Sequence, residues 1–296
     1  MNIPSYRQVS CFLEVCRDFH FTRAAKRLGM AQPPLSRHIR ELEELVGAEL
    51  FRRSSRRVAL TAAGEVFLKE AYQLPGILSR AVEGARRAAE GEGSVLRIGF
   101  VGALMGDELV EVFESYRRMN SDTQLSLLDL GPAELMEKVE AGELDGAFLG
   151  VKPRVLPASI SFVEWKVESV QVCLPKGHRL ESRKRLRIED LGGEPLVALS
   201  ERIAPSYREF LDGLYEKAGV RPEAVRETNG VDAILCMVAA GCGLALLPSS
   251  ALRRASGRVM SLSLSGKDAK LQELFLYSSA EEGRLGSLLQ LLRKFR

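Results

Sequence analysis

Gln32, Pro33, Ser36, Arg37 and Arg40 are crowded into one stretch, Ala31-Gln32-Pro33-Pro34-Leu35-Ser36-Arg37-His38-Ile39-Arg40-Glu41-Leu42-Glu43-Glu44-Leu45-Val46. With successive residues ~100° apart, Leu35, Ile39, Leu42 and Val46 make one apolar stripe, while Pro33, Arg37 and Arg40 face the other way. Ser36 flanks them, and Pro33 suits a first helical turn, where a missing N–H costs nothing. A helix packed along that stripe can lay its leading edge in a DNA major groove. Arg pairs with guanine and Gln with adenine through two hydrogen bonds, and Ser holds phosphate. The same residue types also make an ordinary amphipathic surface helix, so the setting decides.

The elements that must position this edge come just before and after it. Val9, Phe12, Leu13 and Cys16 recur at helical spacing and predict a helix over Tyr6 to Arg17. The chain turns at Asp18-Phe19-His20-Phe21. Thr22 is a suitable N-cap for a short helix from Arg23 to Leu28, Ala24 and Ala25 allow a close helix crossing, and Gly29 ends it. A short helix, a brief turn and the Gln32 helix form a helix-turn-helix. After Gly47, residues 49–53 and 57–60 read as short strands around Arg53-Ser54-Ser55-Arg56-Arg57, a wing. Arg52, Arg53, Arg56 and Arg57 there would meet phosphates or a minor groove, although any one of them alone also fits a solvated charge run. Charge follows the same division. Residues 1–60 hold 11 Lys and Arg against 6 Asp and Glu, a net +5, and the other 236 residues hold 31 against 33, a net −2. Basic charge gathered on a small unit is the electrostatic footprint of nucleic-acid binding.

Several separate motifs now agree in order and spacing: Phe21-Thr22-Arg23-Ala24-Ala25-Lys26-Arg27-Leu28, Ala31-Gln32-Pro33-Pro34-Leu35-Ser36-Arg37, Leu50-Phe51-Arg52-Arg53 and Leu60-Thr61-Ala62-Ala63-Gly64. Together they resemble the N-terminal signature of LysR-type transcriptional regulators. The resemblance runs through the whole chain and is strongest to the branch controlling aromatic degradation and carbon fixation. It implies an α/β architecture: a winged helix-turn-helix over 1–60, a linker helix that dimerises over 61–90, and an effector-binding domain over 91–296. The last would hold two subdomains, 95–166 with 268–296 and 167–267, facing a cleft as in periplasmic solute-binding proteins.

The residues themselves support that division. Thr61 can cap a long helix in which Phe67, Ala71, Leu74, Leu78, Ala81, Ala85 and Ala88 form a heptad seam, the mark of a paired helix or of packing on the protein's own body. Pro75 removes a helical hydrogen bond and clashes toward Ala71, which predicts a kink near Leu74. Glu90-Gly91-Glu92-Gly93-Ser94 reads as a linker. Beyond it, predicted strands at 95–100, 124–128, 146–149, 169–174, 196–199, 244–247 and 274–277 alternate with helices at 108–118, 133–141, 207–218, 231–240 and 285–295, an α/β pattern.

Ligands in open α/β sheets bind beyond strand ends, near helix starts. The expected contacts are Val101, Gly102, Ala103 and Leu104, with Asp107 capping the next helix, then Gly131 and Pro132, Gly150, and across the cleft Arg202, Pro205 and Asn229. Arg202 is the candidate counter-charge for an anionic effector. The resemblance implies hydroxyl side chains at the positions of Ala103 and Pro132 and a basic residue near Gly150. This chain has none of these there, so its pocket should bind a small carboxylate less well and accept a larger or more apolar ligand.

Composition excludes other classes. The chain has 296 residues, 46% hydrophobic and 27% charged, which suits a folded protein of about two domains rather than a fibre or a disordered tail. Cys11, Cys16, Cys173, Cys236 and Cys242 form no Cys-x-x-Cys pair and read as buried free thiols in a reducing compartment. No leader or membrane-length apolar run opens the chain, which places it in the cytoplasm. Only His20, His38 and His178 are available, and no nucleophile elbow, phosphate loop or metal-ligand cluster is present, so neither enzyme chemistry, nor a cofactor, nor a metal is expected. A solute-binding protein for transport fits the C-terminal part but not the basic N-terminal unit. The expected partners are double-stranded DNA bearing an interrupted palindrome, a small-molecule effector, and further copies of the chain as a dimer or, by resemblance, a tetramer.

Overall fold

The computed structural model describes residues 3–53, 58–90, 93–157, 159–266, 269–279, 282 and 285–294, with the side chains of Arg53 and Arg254 left out. The chain forms two compact units, residues 1–83 and 84–296.

In the first unit, α1 spans Tyr6–Cys16 and opens on a capping box, in which Gln8 N–H donates to the Ser5 hydroxyl at 3.3 Å and Ser5 N–H donates to Gln8 Oε1 at 2.8 Å. Helix α2, Phe21–Arg27, is capped by His20, whose Nδ1 accepts from Arg23 N–H at 3.3 Å. Thr22 is therefore not the cap; the helix starts one residue before it, and its hydroxyl is free for another contact. Gly29, at φ +64°, turns the chain out of α2. Helix α3, Gln32–Val46, has proline in its first turn and ends on Gly47 at φ +76°. Its buried stripe is Leu35, Ile39 and Leu42, whereas Val46, expected on that stripe, is exposed in the last turn. Strands β1 (Phe51–Arg53) and β2 (Val58–Leu60) pair antiparallel, and the Glu43 carboxylate accepts from Leu50 and Phe51 N–H at 2.9 and 3.1 Å, fastening the wing to α3. Around them, Phe12 packs on Phe51 and Phe67, both with ring centres 5.1 Å away, and Phe21 lies 5.8 Å from Phe51.

Thr61 caps α4 (Ala62–Ala71), accepting from Gly64 N–H at 2.9 Å. The helix then breaks at Tyr72 and Gln73 before α5, Leu74–Ala89. Pro75 supplies the reason: it has no N–H to give the Ala71 carbonyl, and its ring crowds that carbonyl. Along α5, Leu74, Ile77, Leu78 and Val82 stand between 41% and 46% exposed, an apolar stripe facing outward. The predicted linker after it falls partly outside the described residues.

The second unit opens with β3 (Val95–Phe100), a 3-10 turn at Gly102–Leu104, α6 (Asp107–Met119), β4 (Gln124–Asp129), α7 (Pro132–Glu140) and β5 (Gly146–Leu149). Asp107 is the first residue of α6 rather than its cap, which is Gly106, with no side-chain hydrogen bond to the helix start. Then comes β6, Ile160–Pro175, far longer than the predicted 169–174. Next are β7 (Arg185–Leu186), a turn at Ile188–Leu191, β8 (Leu196–Leu199), α8 (Pro205–Lys217), β9 (Val225–Thr228), α9 (Val231–Ala239) and β10 (Ala245–Pro248). A turn at Ser249–Arg254, β11 (Val259–Leu264), β12 (Lys270–Ser278) and α10 (Gly286–Lys294) complete it.

One sheet runs in the order β4-β3-β5-β12-β6-β11-β7, with β10 also on β6, and β8 pairs parallel to β9. Strand β6 crosses between two cores. Its first part pairs with β12, Ile160 opposite Ser278, and its last part pairs with β10 and β11, Val172 opposite Leu246 and Leu262. The cores are correspondingly separate. Phe148, Trp165 and Phe275 pack with α6 and α10 in one, and Val172, Leu186, Leu196 and Leu246 pack with α8 in the other. Of the cysteines, Cys11 and Cys173 are buried, but Cys236 is exposed on α9, contrary to its apolar sequence surroundings. Among the described residues no helix is long and apolar enough to cross a membrane, and no three His, Cys, Asp or Glu side chains are placed to hold a metal ion.

Candidate DNA-reading edge and ligand cleft

The leading edge of α3 is built on a solid base. Leu35, Ile39 and Leu42 are fully buried, so the opposite side of the helix, with Gln32, Pro33, Arg37 and Arg40, is exposed, and Ser36 is half-buried. The Thr22 hydroxyl donates to Gln32 Oε1 at 3.0 Å, holding the Gln32 amide at the helix start against α2. Arg37 Nε donates to Glu41 Oε1 at 2.7 Å one turn on, and Glu41 Oε2 accepts from Gln8 of α1 at 3.3 Å. The Arg37 hydrogen bond is the main reason the Glu41 carboxyl sits below the usual range, with Gln8 and the nearby charges of Arg37 and His38 adding to it against a burial effect. The Arg37 side chain remains 76% exposed, so its guanidinium is aimed but not enclosed. Arg40 Nε reaches back to the Ser36 carbonyl at 3.4 Å. Arg52 stands exposed on β1 and Arg53 follows it in the strand; Arg56 and Arg57 lie outside the described residues.

A brace that the sequence reading missed holds the two preceding helices. Arg27 at the end of α2 bonds the Glu14 carboxylate, the Glu14 carbonyl at 2.9 Å and Asp18 at 3.0 Å, so one guanidinium ties α2 to α1 and its following turn. Three acceptors around one Arg was a legible signal only with the fold in hand, since Glu14 and Asp18 look like solvated charges in the chain.

In the second unit two adjoining cavities, about 730 and 750 Å³ counting their open mouths, meet where β3, β8 and the starts of α7, α8 and α9 converge. The structure brings together nearly all the expected contacts. Val101, Ala103, Leu104, Pro132, Gly150 and Pro205 line the first cavity, and Gly102, Gly131 and Asn229 line the second, which shares Val101, Ala103 and Pro132. Arg202 lines neither; it is exposed in the turn before α8, so the expected counter-charge is not at the site. The expected set also left out Met136, Leu149, Val151, Tyr207, Leu247 and Leu271, which wall the first cavity, and Asp129 and Asp232, which flank the second. Apolar residues of that kind are indistinguishable from core in a sequence. Gly102 has a direct reason to be glycine: its N–H donates to Asp129 Oδ1 at 2.8 Å, and a Cβ there would come within 2.4 Å of Asp129 Oδ2.

Behind the cavity wall lies a buried polar hub on the crossing strand. Glu168 of β6 accepts from Ser249 Oγ at 2.8 Å and from Ser250 N–H at 2.6 Å. The Ser250 hydroxyl lies 2.7 Å from the carbonyl of Ala103, a wall residue of both cavities, and 3.0 Å from Glu168 Oε2, and gives its one proton to either. Glu273 of β12 is 1% exposed, and neither carboxyl oxygen has a well-formed hydrogen bond. Burial, then the adjoining Glu168 carboxylate, pushes the Glu273 carboxyl up to about 9, so it is neutral at pH 7. Burial works the other way on Glu168 too, but the Glu273 proton, Ser249, the Lys166 charge and Ser250 N–H together outweigh it and leave that carboxyl lowered. The pair therefore carries one charge, which is the only economical way to bury two carboxyls side by side.

Comparison with known proteins follows the same division. A model of bacterial regulatory helix-turn-helix proteins of the lysR family matches residues 6–65, and a model of the LysR substrate binding domain matches residues 89–295. The chain is 35% identical to the HTH-type transcriptional regulator AlsR of Bacillus subtilis over 83% of its length and 80% of that protein. It is 30% identical to the HTH-type transcriptional regulator BenM of Acinetobacter baylyi over 82% and 80%. Among solved structures, full-length BenM superposes with a TM-score of 0.60 at 26% identity, covering 98% of this chain and 96% of that one. Full-length CbnR in complex with its target DNA superposes with a TM-score of 0.64 over 98% and 99%, a likeness of fold at 23% identity. A helix-turn-helix with an exposed polar leading edge, a two-core α/β unit with a cleft, and both family models over nearly the whole length lead to one conclusion: the chain belongs to the LysR family of DNA-binding transcriptional regulators, whose C-terminal unit takes a small-molecule effector.

Proposed function

We propose that Gln32, Pro33, Ser36 and Arg37 read base edges or adjacent phosphates of an operator, that Arg40 and Thr22 meet backbone, and that Arg52, Arg53, Arg56 and Arg57 of the wing meet phosphate or the minor groove. The carrying observation is the exposed Arg37, held by Glu41 on a helix whose far side is fully buried. Residues 1–60 act as the DNA-binding domain, 61–90 as the pairing helix and 91–296 as the sensor, divided at about 166 and 267. The outward apolar stripe of α5 supports pairing with a second copy, which places two reading helices about one DNA turn apart on an interrupted palindrome. Two dimers then make a tetramer, and the protein works in the cytoplasm as a regulator, not an enzyme.

The cleft lined by Val101, Ala103, Pro132, Gly150, Pro205 and Asn229 takes the effector, which shifts the population of two assemblies and so changes how the paired reading helices meet the promoter. The test is selection of bound fragments from a random DNA library, followed by affinity against salt. A steep negative slope with sequence preference is expected. Binding with no preference among sequences would remove the base-reading role of α3.

A further inference from the structure

The cations around the cleft do not face it. We infer that the effector is a small uncharged molecule with an apolar body and a hydroxyl or carbonyl head, rather than an organic acid; this rests on reading the two adjoining cavities as the effector site. The first cavity is walled by carbon. Its one phenol, Tyr207, donates its hydroxyl to the Leu246 carbonyl and so has spent its proton on the protein. No Lys, Arg or His is among the residues lining either cavity; the charged residues there are Asp129 and Asp232, both carboxylates.

The basic side chains next in sequence to the walls are already engaged. The Lys152 ammonium sits over the Phe162 ring, 4.0 Å from its centre, Arg154 pairs with Glu209 at 2.7 Å, and Arg208 pairs with Asp212 and Glu227, both at 3.2 Å. Arg202 is exposed and lines neither cavity.

Positive potential at the cleft comes from helix starts. Helices α7 and α9 begin at the second cavity on Gly131 and Gly230, neither of which caps its helix with a side chain. Each start is equivalent to roughly half a positive charge, so the two together offset only about one of the two carboxylates. A carboxylate ligand entering there loses water and gains no net counter-charge, which is the costly case for a buried ion. A neutral head meets no such cost. Free N–H groups at the two helix starts donate to its oxygen, a hydroxyl proton goes to Asp129 or Asp232, and the body fills the carbon-walled cavity.

The experiment uses the full chain and matched pairs of ligands, each a carboxylic acid and the primary alcohol of the same body, on propyl, cyclohexyl and phenyl frames. Binding is followed by calorimetry and ligand-detected NMR. Each alcohol that binds is expected to do so at least about tenfold more tightly than its acid. A second measurement uses Gly150→Arg. A Cβ there meets only Leu104 Cδ2 at 3.3 Å, and the added guanidinium on the wall should move the preference toward the acids. Acids binding the native chain as well as their alcohols, or no member of any pair binding, overturns the inference, whether or not the variant folds. The sensor reading fails separately, through a bound alcohol that leaves affinity for a selected DNA fragment unchanged.

Discussion

The reading edge of α3 and the cleft of the second unit solve recognition in opposite ways. The edge presents charged and amide side chains to water, each steered by a neighbour: Thr22 on Gln32, Glu41 on Arg37. The cleft presents carbon, glycine backbone and helix starts, and its cations are turned aside. DNA supplies a dense, fixed array of charge, so exposed side chains suffice; a small effector supplies little, so its site must exclude water and withhold charge.

The comparison can be broken in four places. The largest effect is on what carries the edge: Phe51→Ala removes the ring shared by Phe12 and Phe21 and should cost about 3–5 kcal/mol in a denaturant melt of the N-terminal unit. A loss near zero would mean that the edge does not depend on that cluster. Next is the hub behind the cleft. The Glu273 carboxyl is raised from an ordinary 4.5 to about 9 in the folded chain. The fold binds its proton more tightly than the unfolded chain does, so this group's stabilisation is full below about 4.5, declines as pH rises and is gone above about 9. The expected fall is a few kcal/mol across that window, and Glu273→Gln, which keeps the neutral form, should flatten it. An unchanged slope in the variant would show that Glu273 is not the proton held in the fold.

Third, Arg37→Ala should weaken binding to a selected operator by roughly 1–3 kcal/mol and to random DNA by less; equal loss on both would make it a phosphate contact. The smallest effect is Glu41→Gln, which frees Arg37 and removes a negative charge beside the DNA. Affinity for all sequences should rise slightly, and discrimination between operator and random fragments should fall. Retained discrimination would show that Arg37 needs no steering.

Most of the α/β pattern was legible, because burial on both faces writes strands as apolar runs: residues 95–100, 146–149 and 196–199 are strands as expected. Strand β9, with Arg226 and Glu227 at its centre, carries no such run and escaped; β11, Val-Met-Ser-Leu-Ser-Leu, alternates and could have been read. The reading edge was legible because its residues are contiguous and their types are specific. In the cleft, Gly102, Gly131 and Pro132 were found through their turns, but Leu247 and Leu271 differ from core residues only in bordering a void. Arg202 misled because its charge suggested a ligand, and charge in a sequence says nothing about where the side chain points. Glu273 stands between Gln272 and Leu274 in an otherwise apolar strand, a signal that was present and passed over.

Strand β12 has a consequence for the birth of the protein. It is inserted between β5 and β6, with Leu274 opposite both Leu149 and Glu164, so the central sheet of the sensor cannot close until residues 270–278 have been made. The N-terminal unit is complete by residue 83. At a synthesis rate of about 5–20 residues per second, the intervening stretch takes on the order of 10–40 s. For that interval each nascent chain exposes a folded DNA-reading head still tethered to the ribosome, with no finished sensor to govern it.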